Sequence, residues 1–352
     1  MFYLLLLLVL RLLYKAYGVL SFVRQHQTSV SAEAILHSKQ FEHLLESLNA
    51  FTHYPAFIPL NQHVLDLTNN FLCNTVDISG VHERLVLVTV DSESRDQIFR
   101  SWPHLIQFYW PVEALQVPLA GDTVRQLFFV FRANLAFALL RANQSFWMLQ
   151  QDTFWRDNIL NLNLEVGIDL LFDRNGFNFH PIRRSHFVNG AHWFVRSTSK
   201  TVAFWRVFME KFSSNYVPDA AVWTMLCSVT QFTHPPCSFI PYSVVSSWLW
   251  LTTGQRDVPM ALHVTDVSDP KLAAMKRQGF YFLSSNQSEI CNQSLVEETQ
   301  KRLTNGQVHL EIDYQFASVT TRVGDILLSL PIVGDFMRQY SLLGHFFYLF
   351  WK

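Results

Sequence analysis

The most constraining stretch of the chain is SFWMLQQDTFWRDN, residues Ser145–Asn158. It begins with an apolar run, Phe146–Leu149, whose length is typical of a buried strand. The run ends abruptly at Gln150, Gln151 and Asp152. A carboxylate at the end of a buried strand lies at the carboxyl edge of a sheet, which is where open α/β sheets bind ligands. The residues alone are equally compatible with a strand that ends in a polar turn.

Apolar strand-like runs and helix-like segments alternate before this stretch. Strands are predicted at Ala56–Leu60, Arg84–Val90 and Leu105–Trp110, and helices at Val64–Thr75, Ser94–Arg100 and Thr123–Asn143. The last of these helices is apolar nearly all round, which predicts that it is buried. Strands that are apolar throughout and are separated by helices are typical of a largely parallel sheet with helices on both faces.

The composition supports a large packed domain. The 352 residues are 49% hydrophobic and include 31 Phe, which argues against disorder. The formal net charge is −1, and this balance gives no sign of a nucleic-acid partner. The sequence contains no Walker loop, G-x-S-x-G elbow or H-E-x-x-H zinc motif, so the corresponding enzyme classes have no support.

The two ends of the chain are strongly apolar. Residues 1–23 are interrupted by Arg11 and Lys15, and no positive charge precedes the apolar run. We interpret this segment as an uncleaved signal anchor in the membrane, and the alternative is a packed helix. Residues 24–54 form either a stem or the first helix of the domain. Residues 301–352 form an apolar segment that packs on the domain or on a membrane.

Sequons and cysteines bear on the cellular compartment. Asn-x-Ser/Thr triplets begin at Asn143, Asn286 and Asn292, and the last two lie in a polar run that suits an exposed loop of a secretory protein. Asn143 directly precedes the central strand, so we expect it to lie too close to the core for modification. The four cysteines have no metal-type spacing. Cys227 and Cys237 are close enough in sequence to bridge a loop, and the alternative is four buried free thiols.

The central stretch resembles the metal-site segment of nucleotide-diphospho-sugar transferases with a GT-A-type fold. In that family an apolar strand runs into Asp-x-Asp, followed by an aromatic residue and Trp. Gln150, Asp152 and Trp155 occupy the matching positions, so the first Asp of the pattern is Gln here. The resemblance implies that Asp152 contacts a divalent cation, Mn²⁺ or Mg²⁺. It also implies that Gln150 and Gln151 lie against a nucleotide-sugar donor.

Two earlier segments, PLNQHVLDLTNNFLC and LVTVDS, resemble the first strand-to-helix unit and the second strand end of the same family. The resemblance implies nucleoside contacts for Asn61 and Asp91, although both residue types also cap helices without any ligand. Arg132 matches a basic position in the family's buried helix. Its guanidinium group either faces the diphosphate of the donor or pairs with a buried carboxylate.

Candidate catalytic residues come from two later segments. HFVNGAHWFVRST resembles the family's Asn-x-Gly-aromatic strand, with Asn189 in place and Gly190 displaced by one position. This implies that Asn189 and Gly190 lie near the donor sugar, and the alternative is an Asn-Gly turn before a strand. Asp219 resembles the Asp of an Asp-Gln helix start that faces the acceptor, with Ala220 in place of Gln. The alternative is an ordinary N-cap.

The segment LHVTDVSDPKLAAMKRQGFYFL, Leu262–Leu283, resembles the closing segment of the family. His263 is the candidate second metal ligand or phosphate donor, and the alternative is a structural histidine. Lys271 is the candidate that neutralises the diphosphate of the donor, and the alternative is an ordinary lysine on the surface of a helix.

The resemblance assigns residues 55–300 to a GT-A-type, Rossmann-like α/β domain behind an N-terminal membrane-anchor helix. It implies a glycosyltransferase that moves a sugar from a nucleotide diphosphate to a hydroxyl of a glycan or glycoprotein. The compartment implied is the lumen of the Golgi or ER. A second hypothesis is a catalytically inactive member of the same fold that acts as a binding or scaffold protein, which Gln150 and Ala220 favour. A third is a structural membrane-associated protein.

Overall fold

The computed structural model describes residues 2–117, 122–164, 167–174, 188–228, 236–246, 250, 257–264, 271–284, 287–308, 326 and 330–332. The helices are α1 (Phe2–His26), α2 (Ala32–Leu36), α3 (Lys39–Leu48), α4 (Leu65–Thr75), α5 (Ser92–Ser101), α6 (Asp122–Arg141), α7 (Ser199–Ser214), α8 (Asp219–Ser228), α9 (Lys271–Arg277) and α10 (Gln293–Thr304). The strands are β1 (Ala56–Leu60), β2 (Leu85–Thr89), β3 (Ile106–Tyr109), β4 (Phe146–Met148), β5 (Thr153–Trp155), β6 (Leu170–Arg174), β7 (Val188–Val195), β8 (Cys237–Phe239), β9 (Val245–Ser246), β10 (Ala261–His263), β11 (Leu283–Ser284) and β12 (Gln287–Cys291).

Within these residues seven strands form the main sheet, in the order β3-β2-β1-β4-β7-β6-β8. β1 pairs in parallel with β2 and β4, β2 pairs in parallel with β3, and β6 pairs in parallel with β8. β7 is antiparallel to both of its neighbours, β4 and β6. The predicted α/β fold is therefore confirmed as a mixed sheet flanked by helices, in which β7 runs against the common direction of the other strands.

Both faces of the main sheet are covered, which explains why its strands are apolar throughout. Successive side chains of a strand point to opposite faces. Phe146 and Met148 of β4 therefore lie in the core on one face, and Trp147 lies in the core on the other. α2, α3, α6, α7 and α8 contribute to the first core, and α4 and α5 contribute to the second.

α6 is a buried core helix, as its apolar character predicts. Among the helices that the structure describes, it is long and apolar enough to cross a membrane. However, 67% of the most apolar 18-residue stretch of this helix is buried inside the domain. Leu135 and Leu139 have no exposed surface, and a core helix passes the same test of length and composition. We therefore interpret α6 as part of the core.

The N-terminal helices pack on this core. Val19 and Val23 of α1 are buried, and Lys15 forms an ion pair with Asp122 at the start of α6. α2 and α3, which lie in the segment predicted to be a stem or a first helix, add buried side chains to the same core. The second half of α1 thus lies against the domain, and the membrane anchor itself stays a prediction.

The sequons differ in their surroundings. Asn143 is exposed, so the expectation that it lies too near the core is wrong. It follows the end of α6 at the surface, with a φ of 59°. Asn292 is also exposed, and its side chain caps α10. Asn286 and most of the C-terminal segment predicted at residues 301–352 lie outside the described residues.

Two side-chain amides of α4 hold β5 and the segment between α9 and β11 against this helix. Asn74 donates to the carbonyl of Trp155 in β5 over 2.9 Å and accepts from its N–H over 2.6 Å. Asn70, one helical turn earlier, donates to the carbonyl of Phe280 over 2.9 Å and accepts from the N–H of Phe282 over 2.7 Å. Each amide thereby satisfies a backbone donor and a backbone acceptor in the interior.

Two disulfides add covalent links. Cys73–Cys291 joins α4 to the end of β12, and Cys227–Cys237 joins α8 to β8. The bridge predicted between Cys227 and Cys237 is confirmed. The alternative of four free thiols is wrong, since all four cysteines of the chain are paired.

The amide of Asn74 gives a testable prediction for stability. We expect Asn74→Ala to lower the free energy of unfolding by about 2–4 kcal/mol, because the N–H and carbonyl of Trp155 both lose their partner in the interior. Urea-induced unfolding measures this change. Asn215→Ala, at an exposed asparagine, is the control and should change the free energy by less than about 0.5 kcal/mol. Equal losses in the two variants would contradict the role of Asn74.

Candidate functional site

The reversed strand β7 brings its first residues to the carboxyl edge of the main sheet. Val188 of β7 pairs with Arg174 at the end of β6. Asn189 and Gly190 therefore lie where the neighbouring strands end. The Asn-Gly pair belongs to the strand itself, so the alternative of a turn before the strand is wrong. The reason is that Val188 already occupies a paired position.

Asp152 is a buried carboxylate in the turn between β4 and β5, with 1% of its surface exposed. The antiparallel pairing of β5 with β10 brings His263 beside it, and His263 Nε2 lies 2.9 Å from Asp152 Oδ2. The ammonium group of Lys271, at the start of α9, forms an ion pair with the same oxygen. Burial by itself raises the pKa of Asp152. Lys271 and His263 together lower the pKa by more than burial raises it, so the pKa lies below its usual range.

Hydrogen bonds continue from His263 into β7 and β6. The amide nitrogen of Asn189 lies 2.8 Å from His263 Nδ1 and donates to Asp173 Oδ2 over 3.0 Å. Asp173 also accepts from the backbone N–H of Gly190 over 2.8 Å. A carboxylate only accepts, so Asp173 fixes the orientation of the Asn189 amide. An amide nitrogen only donates, so His263 Nδ1 accepts and Nε2 carries the proton that is donated to Asp152.

Asp173 and His192 are site residues that the sequence prediction missed. Both are fully buried, and His192 Nδ1 lies 3.5 Å from Asp173 Oδ2. Within the described part of the chain, neither ring nitrogen of His192 has a hydrogen bond. Asp173 ends an apolar run, as Asp152 does, and this signal could have identified it. His192 gave no such signal, because it lies inside an apolar strand.

Asn61 and Asp91, the predicted nucleoside contacts, follow β1 and β2. Asn61 caps the short 3-10 helix Gln62–Val64 that precedes α4, and Asp91 caps α5. Asn61 Oδ1 accepts from the N–H of His63 over 3.2 Å, and its amide nitrogen donates to a backbone carbonyl over 2.8 Å. Asp91 accepts from the N–H of Ser94 over 2.8 Å and from that of Gln62 over 2.9 Å. Both side chains make the capping contacts of the alternative interpretation, and their contact with a nucleoside stays a prediction.

Arg132 and Asp219 form a buried ion pair, with side chains 2% and 7% exposed. The Arg132 guanidinium also lies 5.7 Å from the ring of Trp223. Trp223 packs against Gly190, where an added Cβ would lie 2.9 Å from the ring. Of the two interpretations of Arg132, the structure supports the one in which its guanidinium group pairs with a buried carboxylate, that of Asp219. The pair therefore supports the aromatic ring behind Gly190, and its contacts with donor and acceptor stay predictions.

The side chains at this edge fit a divalent cation poorly. Gln150 supplies a neutral amide where the family pattern has a carboxylate, and Gln151 next to it is buried. Asp152 Oδ2 is shared by Lys271 and His263, and both nitrogens of His263 already take part in hydrogen bonds. Among the residues described, no group of three or more His, Cys, Asp or Glu side chains could hold a metal ion. The expected Mn²⁺ or Mg²⁺ therefore stays a prediction.

The sequence of the chain matches one family model. The model is that of the nucleotide-diphospho-sugar transferases, and it matches residues 80–277. The matched region runs from before β2 to the end of α9 and includes Asp152, Asn189, His263 and Lys271. No curated protein sequence matches the chain significantly.

Several solved structures align with part of the chain at low sequence identity. The WbbM bifunctional glycosyltransferase is 8% identical with a TM-score of 0.40, and the alignment covers 73% of this chain and 52% of that one. Mouse xyloside xylosyltransferase 1 is 13% identical with a TM-score of 0.41, covering 62% and 99%. GlyE of Streptococcus pneumoniae TIGR4 is 10% identical with a TM-score of 0.43, covering 75% and 66%. The chain spans about half the length of WbbM.

Gly190 gives a prediction with a matched control in the same chain. Gly190 has a φ of 79° and Gly279 a φ of 80°, but only at Gly190 would an added Cβ meet another residue. We expect Gly279→Ala to lower the free energy of unfolding by about 1–2 kcal/mol, the backbone effect alone. Gly190→Ala should lower it by roughly 1–3 kcal/mol more, because the methyl group collides with Trp223. Chemical denaturation of both variants measures the difference. Equal losses of unfolding free energy would show that the Trp223 ring moves aside without cost.

Proposed function

Because the chain belongs to the nucleotide-diphospho-sugar transferase family, we propose that it transfers a sugar from a nucleotide diphosphate donor to a hydroxyl acceptor. The observation that carries this proposal is the convergence of charged and polar side chains at the carboxyl edge of the main sheet. These side chains are Asp152, Asp173, Asn189, His263 and Lys271. Such an edge is where open α/β sheets bind ligands.

The proposed reaction places one chemical demand on the site. The bond between the anomeric carbon and a phosphate oxygen breaks, a bond from that carbon to the acceptor oxygen forms, and the acceptor loses a proton. The departing diphosphate gains negative charge, which a positioned cation stabilises in the transition state. Lys271 can supply this charge, because its side chain is 53% exposed while its ammonium group is held by Asp152.

The sugar of the donor needs hydrogen-bonding groups next to this charge. Asn189 is partly buried and stands between His263 and Asp173, so we assign it to the hydroxyls of the donor sugar. Gly190 holds the Asp173 carboxylate through its backbone N–H. A bound Mn²⁺ or Mg²⁺ would supply Lewis-acid stabilisation of the same diphosphate. This cation has the support of the family resemblance alone, because the side chains described at this edge fit it poorly.

We extend the proposal to the lumen of the Golgi or ER, with a glycan or glycoprotein as acceptor and the N-terminal segment as the membrane attachment. Two disulfides support an oxidising compartment, since such bonds are rare in the cytosol. The exposure of the sequons at Asn143 and Asn292 supports it as well. The net charge of −1 gives no reason to add a nucleic-acid partner.

A second candidate function is a non-catalytic member of the same fold that binds a nucleotide sugar or serves as a scaffold. Two observations favour it. Ala220 stands where the family pattern has Gln, and Gln150 stands where it has Asp. Binding of a donor without release of its nucleoside diphosphate would distinguish this function from a transferase.

A panel of nucleotide sugars tests the proposed function. We expect one class of UDP-, GDP-, CDP-, ADP- or dTDP-sugars to raise the melting temperature, since a ligand at a hundredfold excess over its Kd stabilises a protein by about 2.7 kcal/mol. The matching nucleoside monophosphates are the control, because they lack the diphosphate. Release of nucleoside diphosphate in the presence of glycan acceptors then measures transfer. If no nucleotide sugar shifts the melting temperature, the proposal fails and a structural role gains support.

The compartment has its own test. We expect glycosidase treatment to increase the gel mobility of protein expressed in secretory-competent cells, because Asn143 and Asn292 are exposed sequons. Asn143→Gln and Asn292→Gln should each remove part of the shift, and Asn305→Gln, at an asparagine outside any sequon, should leave it unchanged. A protein without any glycan would contradict the lumenal location.

A further inference from the structure

We propose that the donor site works without a divalent cation, because the ammonium group of Lys271, fixed by Asp152, supplies the positive charge that the family pattern assigns to a metal ion. This inference rests on the proposed transfer from a nucleotide diphosphate. The family pattern sets a cation between two carboxylates, and the side chains described at this edge do not match that pattern.

The charge of the site is already balanced by the protein. The family pattern sets two carboxylates against a doubly charged cation. In this chain Gln150 removes one of the negative charges, and Lys271 places one positive charge on the remaining carboxylate of Asp152. A divalent cation at the same place would lack the second carboxylate and would meet the ammonium group. An arriving diphosphate, in contrast, meets the ammonium group of Lys271. Among the described contacts, Asp152 is the one carboxylate beside that group.

The hydrogen bonds of His263 also indicate that this site does not suit a divalent cation. Metal-bound histidine presents an unprotonated ring nitrogen to the metal. Here Nδ1 accepts from the amide of Asn189, and Nε2 donates to Asp152. Asp173 maintains this state, because it fixes the orientation of the Asn189 amide. The imidazole ring therefore acts as a hydrogen-bond donor and holds the accepting carboxylate of Asp152 in place.

The position of Lys271 leaves its charge available to a ligand. Asp152 is 1% exposed and holds the ammonium group from the inside, whereas the lysine side chain is 53% exposed. An ammonium group has three N–H donors, so donors remain for phosphate oxygens that approach from solvent. Ala274 and Met275 form the inner face of α9, and both side chains are fully buried. This packing fixes the start of the helix, and with it the backbone of Lys271.

The first experiment uses the full chain and two kinds of probe. Mn²⁺ alone is titrated by electron paramagnetic resonance, and the binding of UDP, GDP, CDP, ADP and dTDP is measured by calorimetry in EDTA and in Mn²⁺. We expect no protein-bound Mn²⁺ at the concentrations used for the nucleotides. We also expect at least one nucleoside diphosphate to bind with the same Kd in EDTA and in Mn²⁺.

Variants then assign the charge to one residue. Lys271→Ala should weaken nucleoside diphosphate binding roughly tenfold or more, the size expected for loss of a hydrogen bond to a charged group. Lys271→Arg should retain most of the binding. Lys276→Ala is the matched control, since Lys276 lies on the same helix but over the ring of Tyr281, and its Kd should match that of the parent. Melting temperatures confirm that each variant is folded.

A double variant tests the exchange of lysine for metal directly. Gln150→Asp together with Lys271→Ala restores the second carboxylate and removes the ammonium group. We expect this variant to bind Mn²⁺ and to bind the nucleoside diphosphate only when Mn²⁺ is present. This gain would be visible in the resonance spectrum even if transfer were lost.

The outcomes separate the inference from the proposed function. Binding of Mn²⁺ alone by the parent, or nucleotide binding that disappears in EDTA, overturns the inference and leaves the proposed function standing. An effect of Lys276→Ala as large as that of Lys271→Ala also overturns it. If none of the nucleoside diphosphates binds in either condition, the proposed function fails, and the inference falls with it.

Discussion

The site depends on the spacing that two side-chain amides of α4 impose. Asn74 and Asn70 lie one helical turn apart on α4, and each pairs with backbone groups of a different element. The first element is β5, which follows Asp152, and the second is the segment that follows α9, which begins with Lys271. Because a helix holds its residues at a fixed rise, the two amides help to hold the segments that carry Asp152 and Lys271 at a fixed separation.

Much of the fold follows from the sequence, because strands buried on both faces give continuous apolar runs. The run predicted at Ala56–Leu60 coincides with β1, and Phe146–Leu149 contains β4. The direction of β7 could not be predicted in the same way. Its side chains are apolar whichever way the strand runs, and its direction is set by pairing with β4 and β6, which local sequence does not encode. Short strands such as β5 and β9 lack enough residues to show a period.

For the site, the sequence predicted which residues take part but not which partners they have. The resemblance of short segments to the family named Asp152, Asn189, His263 and Lys271, and the structure brings these side chains into one network. The partners of each side chain were beyond local patterns, because partners are set by tertiary contacts. Arg132, for example, pairs with a carboxylate 87 residues away. Helix caps are the opposite case. Asn61 accepts from the N–H of His63 and Asp91 accepts from the N–H of Ser94, two or three residues away, so the residue types alone indicated these capping contacts.

The Cys73–Cys291 bridge has a consequence for the order in which thiols oxidise during synthesis. Its cysteines are 218 residues apart, so at ordinary rates of translation Cys73 waits roughly 10–40 s for its partner. In the oxidising lumen proposed for this chain, Cys227 would emerge during this interval and compete for Cys73. Cys237 follows Cys227 by 10 residues, about a second of synthesis. There the short bridge would remove the competing thiol early and would keep Cys73 available for the bond that closes the domain.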